Sequence, residues 1–266
     1  MIKTESLIDA LAASSVRMVT FVGAGGKTSA IVRAAAEMSS IGRSVIATTT
    51  TLVGERLAAC GEPVLASDGD DAVHAALASS GTVFLHSGRR CDGKYGGVAA
   101  ELLTGLVETG AADCILVEGD GARGLPIKMP DAHEPVIPRA TGLVVPVVGM
   151  DALDRPIAEG AVHRPDLFAS LNAGGAVTQE VVVSLLGSES GGMKSIPAAA
   201  SVRPLLNKTG LPGGDRADLI ARELLTSAPA ALDRVICGDV QAGGFRVFLR
   251  GGTRSAERRP SGPFRS

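Results

Sequence analysis

Tryptophan is missing from this 266-residue chain, and aromatic residues are limited to one tyrosine and six phenylalanines. At 3% aromatics the sequence offers no platform on which nucleic-acid bases stack, and its core has to come from Ala, Val, Leu and Ile. Neither sign of charge dominates. The 26 Lys and Arg against 28 Asp and Glu leave a formal charge of −2, so the basic footprint of a nucleic-acid binder is absent as well. No apolar run approaches the ~18 residues of a membrane-spanning helix, so no membrane association is expected. Arg17 is followed by a short apolar strand rather than a long apolar helix, so no signal peptide is read and a cytoplasmic location is expected. Four cysteines lie far apart, with no C-x-x-C pair to support a zinc knuckle or a compact disulfide framework. Cys60, Cys114 and Cys237 read as buried small hydrophobes, and Cys91 as exposed in a polar, glycine-rich segment.

What is present is a regular alternation. "RMVTFVG", "RSVIATTTTLV", "EPVLA", "TVFLH", "ADCILVEGDG", "TGLVVPVVGM", "VRPLLNKTG", "DRVICGDV" and "FRVFLR" read as short strands. Helical patterns fall at 5–13, 27–42, 69–79, 97–109 and 215–226. Strands alternating with helices predict an α/β fold, a doubly wound and mainly parallel sheet of the phosphate-loop NTPase type. One nucleotide-binding domain is expected over 1–250. "GSESGG" at 187–192 is the linker candidate if a smaller C-terminal part begins at about 190. The final residues, 251–266, have no apolar pattern and read as a disordered tail.

The first chemical signal is "VTFVGAGGKTSAI", residues 19–31. The common phosphate loop, G-x-x-x-x-G-K-[ST], needs a glycine where Phe21 stands. The segment still follows a strand and opens a helix. There, backbone N–H groups and the helix dipole favour an anion, a lysine meets terminal phosphates, and a hydroxyl reaches Mg²⁺. Gly23, Ala24, Gly25, Gly26, Lys27, Thr28 and Ser29 are therefore the nucleotide-binding candidates, with Lys27 catalytic and Thr28 a metal ligand. The Rossmann alternative fails twice: Thr28 occupies the third glycine position, and "TTTT" stands where the second strand should end in an acid.

A second cluster, "ILVEGDGARGLPIKMPDAHEPVIP" at 115–138, follows an apolar strand. Glu118 and Asp120, two residues apart on extended chain, face the same way and are the metal candidates. Lys128 and His133 follow in a proline-punctuated loop and are the further catalytic candidates. Thr48–Thr51 fit either phosphate contacts or a capped strand end, and the two readings weigh evenly. His163 and Arg164 fit either an acidic ligand or a helix entry. His74 and His86 read as structural.

Together these stretches, with "VIATTTTLV", "VVGMDALDRPI", "VHRPD" and "LLNKTG", resemble the YqeC family of selenium-dependent hydroxylase accessory proteins over about residues 19–210. The resemblance implies a nucleotide-binding protein linked to molybdenum hydroxylase maturation, with the hydroxylase or its pterin cofactor as partner. The short loop is also similar to that of Mur-type ligases, G-T-x-G-K-[ST], which by analogy makes Glu118 and His133 metal-site candidates. Asn207 and Lys208, in Asn207-Lys208-Thr209-Gly210, resemble the N-K-x-D motif by which GTPases read guanine, but Gly210 replaces the aspartate. The expected cofactors are Mg²⁺ and either ATP or GTP. Two functions follow: phosphoryl transfer or hydrolysis for an unidentified small-molecule acceptor, or nucleotide-gated carriage of a cofactor.

Overall fold

The computed structural model describes residues 1–171, 175–211 and 214–251. Its first half contains β1 (Ile2–Thr4), α1 (Leu7–Ala10), β2 (Met18–Gly23), α2 (Lys27–Ser40), β3 (Val45–Thr49), β4 (Glu62–Leu65), α3 (Asp70–Ser80), β5 (Thr82–His86), α4 (Ala100–Thr109) and β6 (Cys114–Glu118). There follow β7 (Ile127–Lys128), β8 (Leu143–Gly149), β9 (Val162–His163), α5 (Gln179–Gly187), β10 (Ser201–Val202), β11 (Leu205–Asn207), α6 (Arg216–Ser227), β12 (Arg234–Gly238) and β13 (Phe245–Leu249).

The strand order is β4-β5-β3-β6-β2-β8-β11-β12-β13-β1, with β10 also on β8. All pairs from β4 to β12 are parallel, whereas β13 and β1 add an antiparallel edge. From β2 the chain moves outward through β3, β4 and β5 and returns to β6 at the side of β2. It then crosses to the opposite side through β8, β11 and β12. In open sheets ligands bind at the carboxyl ends of the strands where the winding reverses, and here that point lies above β2.

Alternation along each strand separates two cores. Val19 and Phe21 of β2, Val45 and Ala47 of β3 and Leu116 of β6 face α1 and α2. Their neighbours Met18, Ile46, Ile115 and Val117 face α3 and α4, and Val148, Leu206 and Cys237 face α5 and α6. With helices on both faces, the strands read as continuous apolar runs, as the sequence shows. The mainly parallel, doubly wound α/β sheet is the fold expected from the sequence.

Local expectations met different outcomes. The helical pattern at 5–13 yields only one turn, Leu7–Ala10, started by Ser6, whose hydroxyl accepts from the Asp9 N–H at 3.2 Å. Helix α5 and edge strand β1 were not legible. The run "VVVSLL" is β-branched and reads equally as strand, and Thr178 at its cap decides the matter only weakly. The linker candidate at 187–192 folds back on α5, with the Gly192 N–H donating to Leu185 O at 2.8 Å. Strands β10 to β13, beyond residue 190, join the same sheet as β2. Apart from Gly251, the tail at 251–266 lies outside the described residues.

Cys114 and Cys237 are buried and Cys60 is half-buried, while Cys91 is exposed. Burial pushes the thiols of Cys60 and Cys114 up to about 12, and Cys237 upward as well. The thiolate is the reactive form, so titration of the native protein with a maleimide near neutral pH is expected to modify Cys91 rapidly and the other three only on unfolding. Among the described residues, no helix is long and apolar enough to cross a membrane.

Candidate functional site

The loop after β2 divides its backbone donors into two groups. The Gly23 N–H donates to both carboxylate oxygens of Asp120 at 3.0 and 3.1 Å, Ala24 to Val147 O at 2.9 Å, and Gly25 to Leu125 O at 3.0 Å. These three N–H groups fasten the loop to the sheet. The next four, from Gly26 to Ser29, have no hydrogen-bond partner among the described residues, as expected for the first turn of a helix. The free backbone donors of this loop therefore start at Gly26. Gly23, Ala24 and Gly25, which the sequence reading also placed against the nucleotide, hold the scaffold instead.

Gly25 shows why the glycines are needed. Its φ is +84°, and a Cβ there would lie 2.0 Å from Gly149 N and 2.6 Å from Pro126 O, both backbone atoms. Gly25→Ala is expected to lower the melting temperature sharply and to disturb the turn into α2. Gly105→Ala, in the open surface of α4, is expected to be neutral or to stabilise by about 0.5–1 kcal/mol. Calorimetric melting of both variants checks the contrast.

Lys27 is buried against acids. Its Nζ donates to Gly23 O at 2.5 Å and lies 3.2 Å from Asp120 and 3.8 Å from Glu118. The Thr28 hydroxyl donates to Glu118 Oε2 at 2.8 Å. Burial holds the pKa of Glu118 above the ordinary carboxylate value, and Lys27 and Thr28 offset this only in part. A hydroxyl beside a carboxylate at the head of a helix is the donor set Mg²⁺ takes in phosphate sites, where few protein ligands join phosphates and water. Among the described residues no cluster of three or more acidic, His or Cys ligands forms a metal cage.

Lys27, Thr28, Ser29 and Glu118 open onto a cleft of about 750 Å³ across the carboxyl ends of the strands. On the β11–β12 side it is lined by Lys208 and Gln241, and on the β3–β6 side by Arg56, Lys94 and Arg123. Among the described residues, five cationic side chains thus line the cleft with a single carboxylate, Glu118. Arg56, Lys94, Arg123 and Gln241 were not singled out from sequence, because they come from separated loops that carry no motif.

The two acids part company. β6 ends at Glu118, so the alternation argument that put Asp120 beside it does not reach residue 120. Glu118 faces the cleft, whereas Asp120 is buried at the root of the loop, with Gly23, Lys27 and Lys128 on its oxygens. Lys128 is also enclosed. Its Nζ reaches Asp120 at 3.0 Å, Glu134 at 2.7 Å and Gly121 O at 2.7 Å, behind the loop rather than in the cleft. Arg164 completes the row by binding Glu134 and Asp131, a contact outside either of its two readings, and it directly precedes the short helical segment Pro165–Leu171, as the helix-entry reading has it. His133, by contrast, has 74% of its side chain exposed and Asp131 at 4.0 Å as its ion-pair neighbour among the described residues, so it is not brought to Lys27 or Glu118. His163 lies by Arg164, Lys128 and Arg123, and burial and these charges lower its pKa.

Asn207 is placed against the loop and not against a ligand. Its amide nitrogen donates to Gly25 O at 2.8 Å, its oxygen accepts from Val240 N at 3.0 Å, and it is 1% exposed. Lys208 Nζ bonds Asp151 at 2.7 Å while its side chain lines the cleft. The threonine run is structural in the same sense. Thr48, Thr49 and Thr50 donate their hydroxyls to Leu85 O, Glu118 O and Val136 O at 2.8, 3.0 and 2.9 Å.

Glu134 gives a pH signature. Burial alone would raise its pKa, but hydrogen bonds from Arg164 and Lys128 more than reverse this and hold it at about 2, against an ordinary 4.5. A depressed carboxylate contributes stability above its unfolded pKa and loses it as the pH falls through the folded one. Urea unfolding is therefore expected to show stability lost from about pH 4.5 down towards pH 2, with Glu134→Gln, already less stable, losing less over that window.

Fold and site together define a doubly wound α/β protein whose glycine-rich strand-to-helix loop presents a lysine and a threonine to a cationic cleft. The chain belongs to the YqeC family: the family model described as "YqeC protein" matches residues 19–166. It is 33% identical over 199 residues to the "Uncharacterized protein YqeC" of Escherichia coli (strain K12), covering 72% of this chain and 75% of that protein. A crystal structure of hydrogenase maturation factor HypB from Archaeoglobus fulgidus aligns over 88% of this chain and 87% of its own, at 15% identity and a TM-score of 0.43.

Proposed function

We propose that the protein binds a magnesium nucleoside triphosphate in the cleft above β2 and uses it in phosphoryl transfer or hydrolysis, as an accessory factor for molybdenum hydroxylases. The observation that carries nucleotide binding is the run of four unpartnered N–H groups, Gly26 to Ser29, at a helix start that also supplies Lys27 and Thr28. The phosphates lie over these donors. Thr28 and Glu118 would hold Mg²⁺, which would offset the negative charge of the phosphates. Lys27, now turned onto Asp120 and Glu118, is the cation that meets the terminal phosphates. ATP and GTP remain equal candidates, since Asn207 is committed to the loop and Gly210 has no carboxylate with which to accept from guanine. Hydrolysis measured on wild-type protein and on Lys27→Ala tests the enzymatic reading. Tight binding with no turnover for any acceptor would sink it.

A second reading, nucleotide-gated carriage, is favoured by one observation. The charges Lys27, Asp120, Lys128, Glu134 and Arg164 form a continuous alternating row from the loop to residues 131–134. A phosphate that draws Lys27 away from Asp120 alters the first link of that row. This reading expects slow hydrolysis and capture of a molybdenum hydroxylase or its pterin cofactor that depends on the nucleotide added. Capture indifferent to nucleotide state counts against it. The hydroxylase partner is supported by family membership, and the same capture experiment tests it.

A further inference from the structure

We infer that Arg56, Lys94 and Arg123 form a second anion subsite, which takes the phosphate or carboxylate group of a small molecule bound opposite the nucleotide's terminal phosphate. The inference rests on nucleotide binding in the same cleft and adds what else the cleft holds.

Strand order gives the direction. The metal-ligand candidates, Thr28 and Glu118, stand at the junction of β2 and β6. A terminal phosphate held through Mg²⁺ on Thr28 and Glu118 would therefore lie towards the β6 side. The rest of the nucleotide then extends the other way, towards Lys208 and Gln241 above β11 and β12. The part of the cleft beyond β6 is left over, and three cations converge on it from three separate segments. Arg56 follows β3, Lys94 follows β5, and Arg123 follows β6.

Their pairing sets them apart from Lys27 and Lys208, the other two cations lining this cleft, although Lys3, Arg17 and Arg155 elsewhere also have no ion pair among the described residues. Lys27, Lys128, Arg164, Lys208 and Arg216 are all held by carboxylates at 3.3 Å or less. Arg56 and Arg123 have no ion pair or side-chain hydrogen bond among the described residues, and Lys94 has only Asp92 at 4.0 Å. Exposed arginines with free guanidinium forks suit bidentate binding of phosphate or carboxylate. The carboxylate lining this cleft, Glu118, faces Lys27 at 3.8 Å and makes no ion pair with Arg56, Lys94 or Arg123.

The test is calorimetric and uses the full chain. Protein is first saturated with the magnesium complex of a non-hydrolysable ATP or GTP analogue, and then titrated with orthophosphate or malonate at constant ionic strength. The expected result is one further equivalent of anion bound by wild type, its affinity lowered at least about ten-fold in Arg56→Ala/Arg123→Ala while nucleotide affinity stays within about two-fold. Preference between orthophosphate and malonate distinguishes a phosphate-bearing from a carboxylate-bearing ligand. If neither anion binds the nucleotide complex, the inference is overturned. It is equally overturned if the double variant loses nucleotide affinity in parallel, since the arginines then serve the nucleotide itself. Failure of the analogue to bind wild type appears before any anion is added, and overturns the nucleotide reading first. Lys94→Ala, lacking the third cation, is expected to weaken the anion to a smaller degree.

Discussion

Lys27→Ala is expected to weaken magnesium-nucleotide binding by about 100-fold or more, equivalent to about 2.7 kcal/mol, and to abolish any turnover. The reason lies in what the ammonium is placed to do. It projects from the first turn of α2, beside the four free N–H groups, and there is no second cation on that turn. The substitution also changes the unliganded protein, because Lys27 is 3% exposed and faces two buried carboxylates. Asp120 keeps Lys128 and the Gly23 N–H, whereas Glu118 keeps only Thr28. Burial already raises the Glu118 pKa, so in Lys27→Ala that carboxyl is expected to take up a proton more readily still. Adding Glu118→Gln should recover stability without recovering binding. Isothermal titration with nucleotide and thermal melting of the single and double variants separate the two effects.

Lys128→Ala is the largest expected loss of stability. Its ammonium is fully enclosed between Asp120 and Glu134 and donates to Gly121 O as well. Removing one member of a buried ionic group leaves the others uncompensated, which costs about 3–5 kcal/mol. For a chain of this size that corresponds to a melting temperature lower by about 10 °C. The change also separates two interpretations of Lys128. A lysine that contacts the reacting phosphate would lower turnover with little change in melting, while a lysine that supports the loop from behind lowers both. The enclosed position behind Asp120 points to the second outcome, measured as melting temperature and nucleotide affinity on the same preparation.

Much of the fold was written in the apolar pattern. Doubly covered parallel strands have to be apolar on both faces, so "MVTFVG", "CILVE" and "LVVPVVG" are readable without any partner. Helix α5 was not readable, because Val181–Val183 has the same composition as a strand, and only packing against α6 decides between them. The site was legible where chemistry is contiguous in sequence. Lys27 and Thr28 adjoin in the chain and in space, and Glu118 meets both because β2 and β6 pair in parallel with Phe21 opposite Glu118. Roles that depend on where a strand stops were not legible. Asp120 and Lys128 sit just past strand ends or in a two-residue strand, where local turns put them behind the loop. His133, close in sequence to Glu134, turns outward while its neighbour turns in. Asn207 lies in a GTPase-like motif, yet its amide braces Gly25 and Val240, a contact that spans 182 residues in one direction and 33 in the other.

The most direct measurement is an equilibrium titration of the wild-type full chain with ATP and with GTP, each with Mg²⁺ and with the metal chelated. Saturable binding of one nucleotide per chain, strengthened by Mg²⁺, is the expected result. It follows from the free donors of Gly26 to Ser29, the Thr28–Glu118 pair and Lys27 beside them. No binding of either nucleotide at millimolar concentration, with the protein folded throughout, would contradict the reading of this loop as a phosphate cradle.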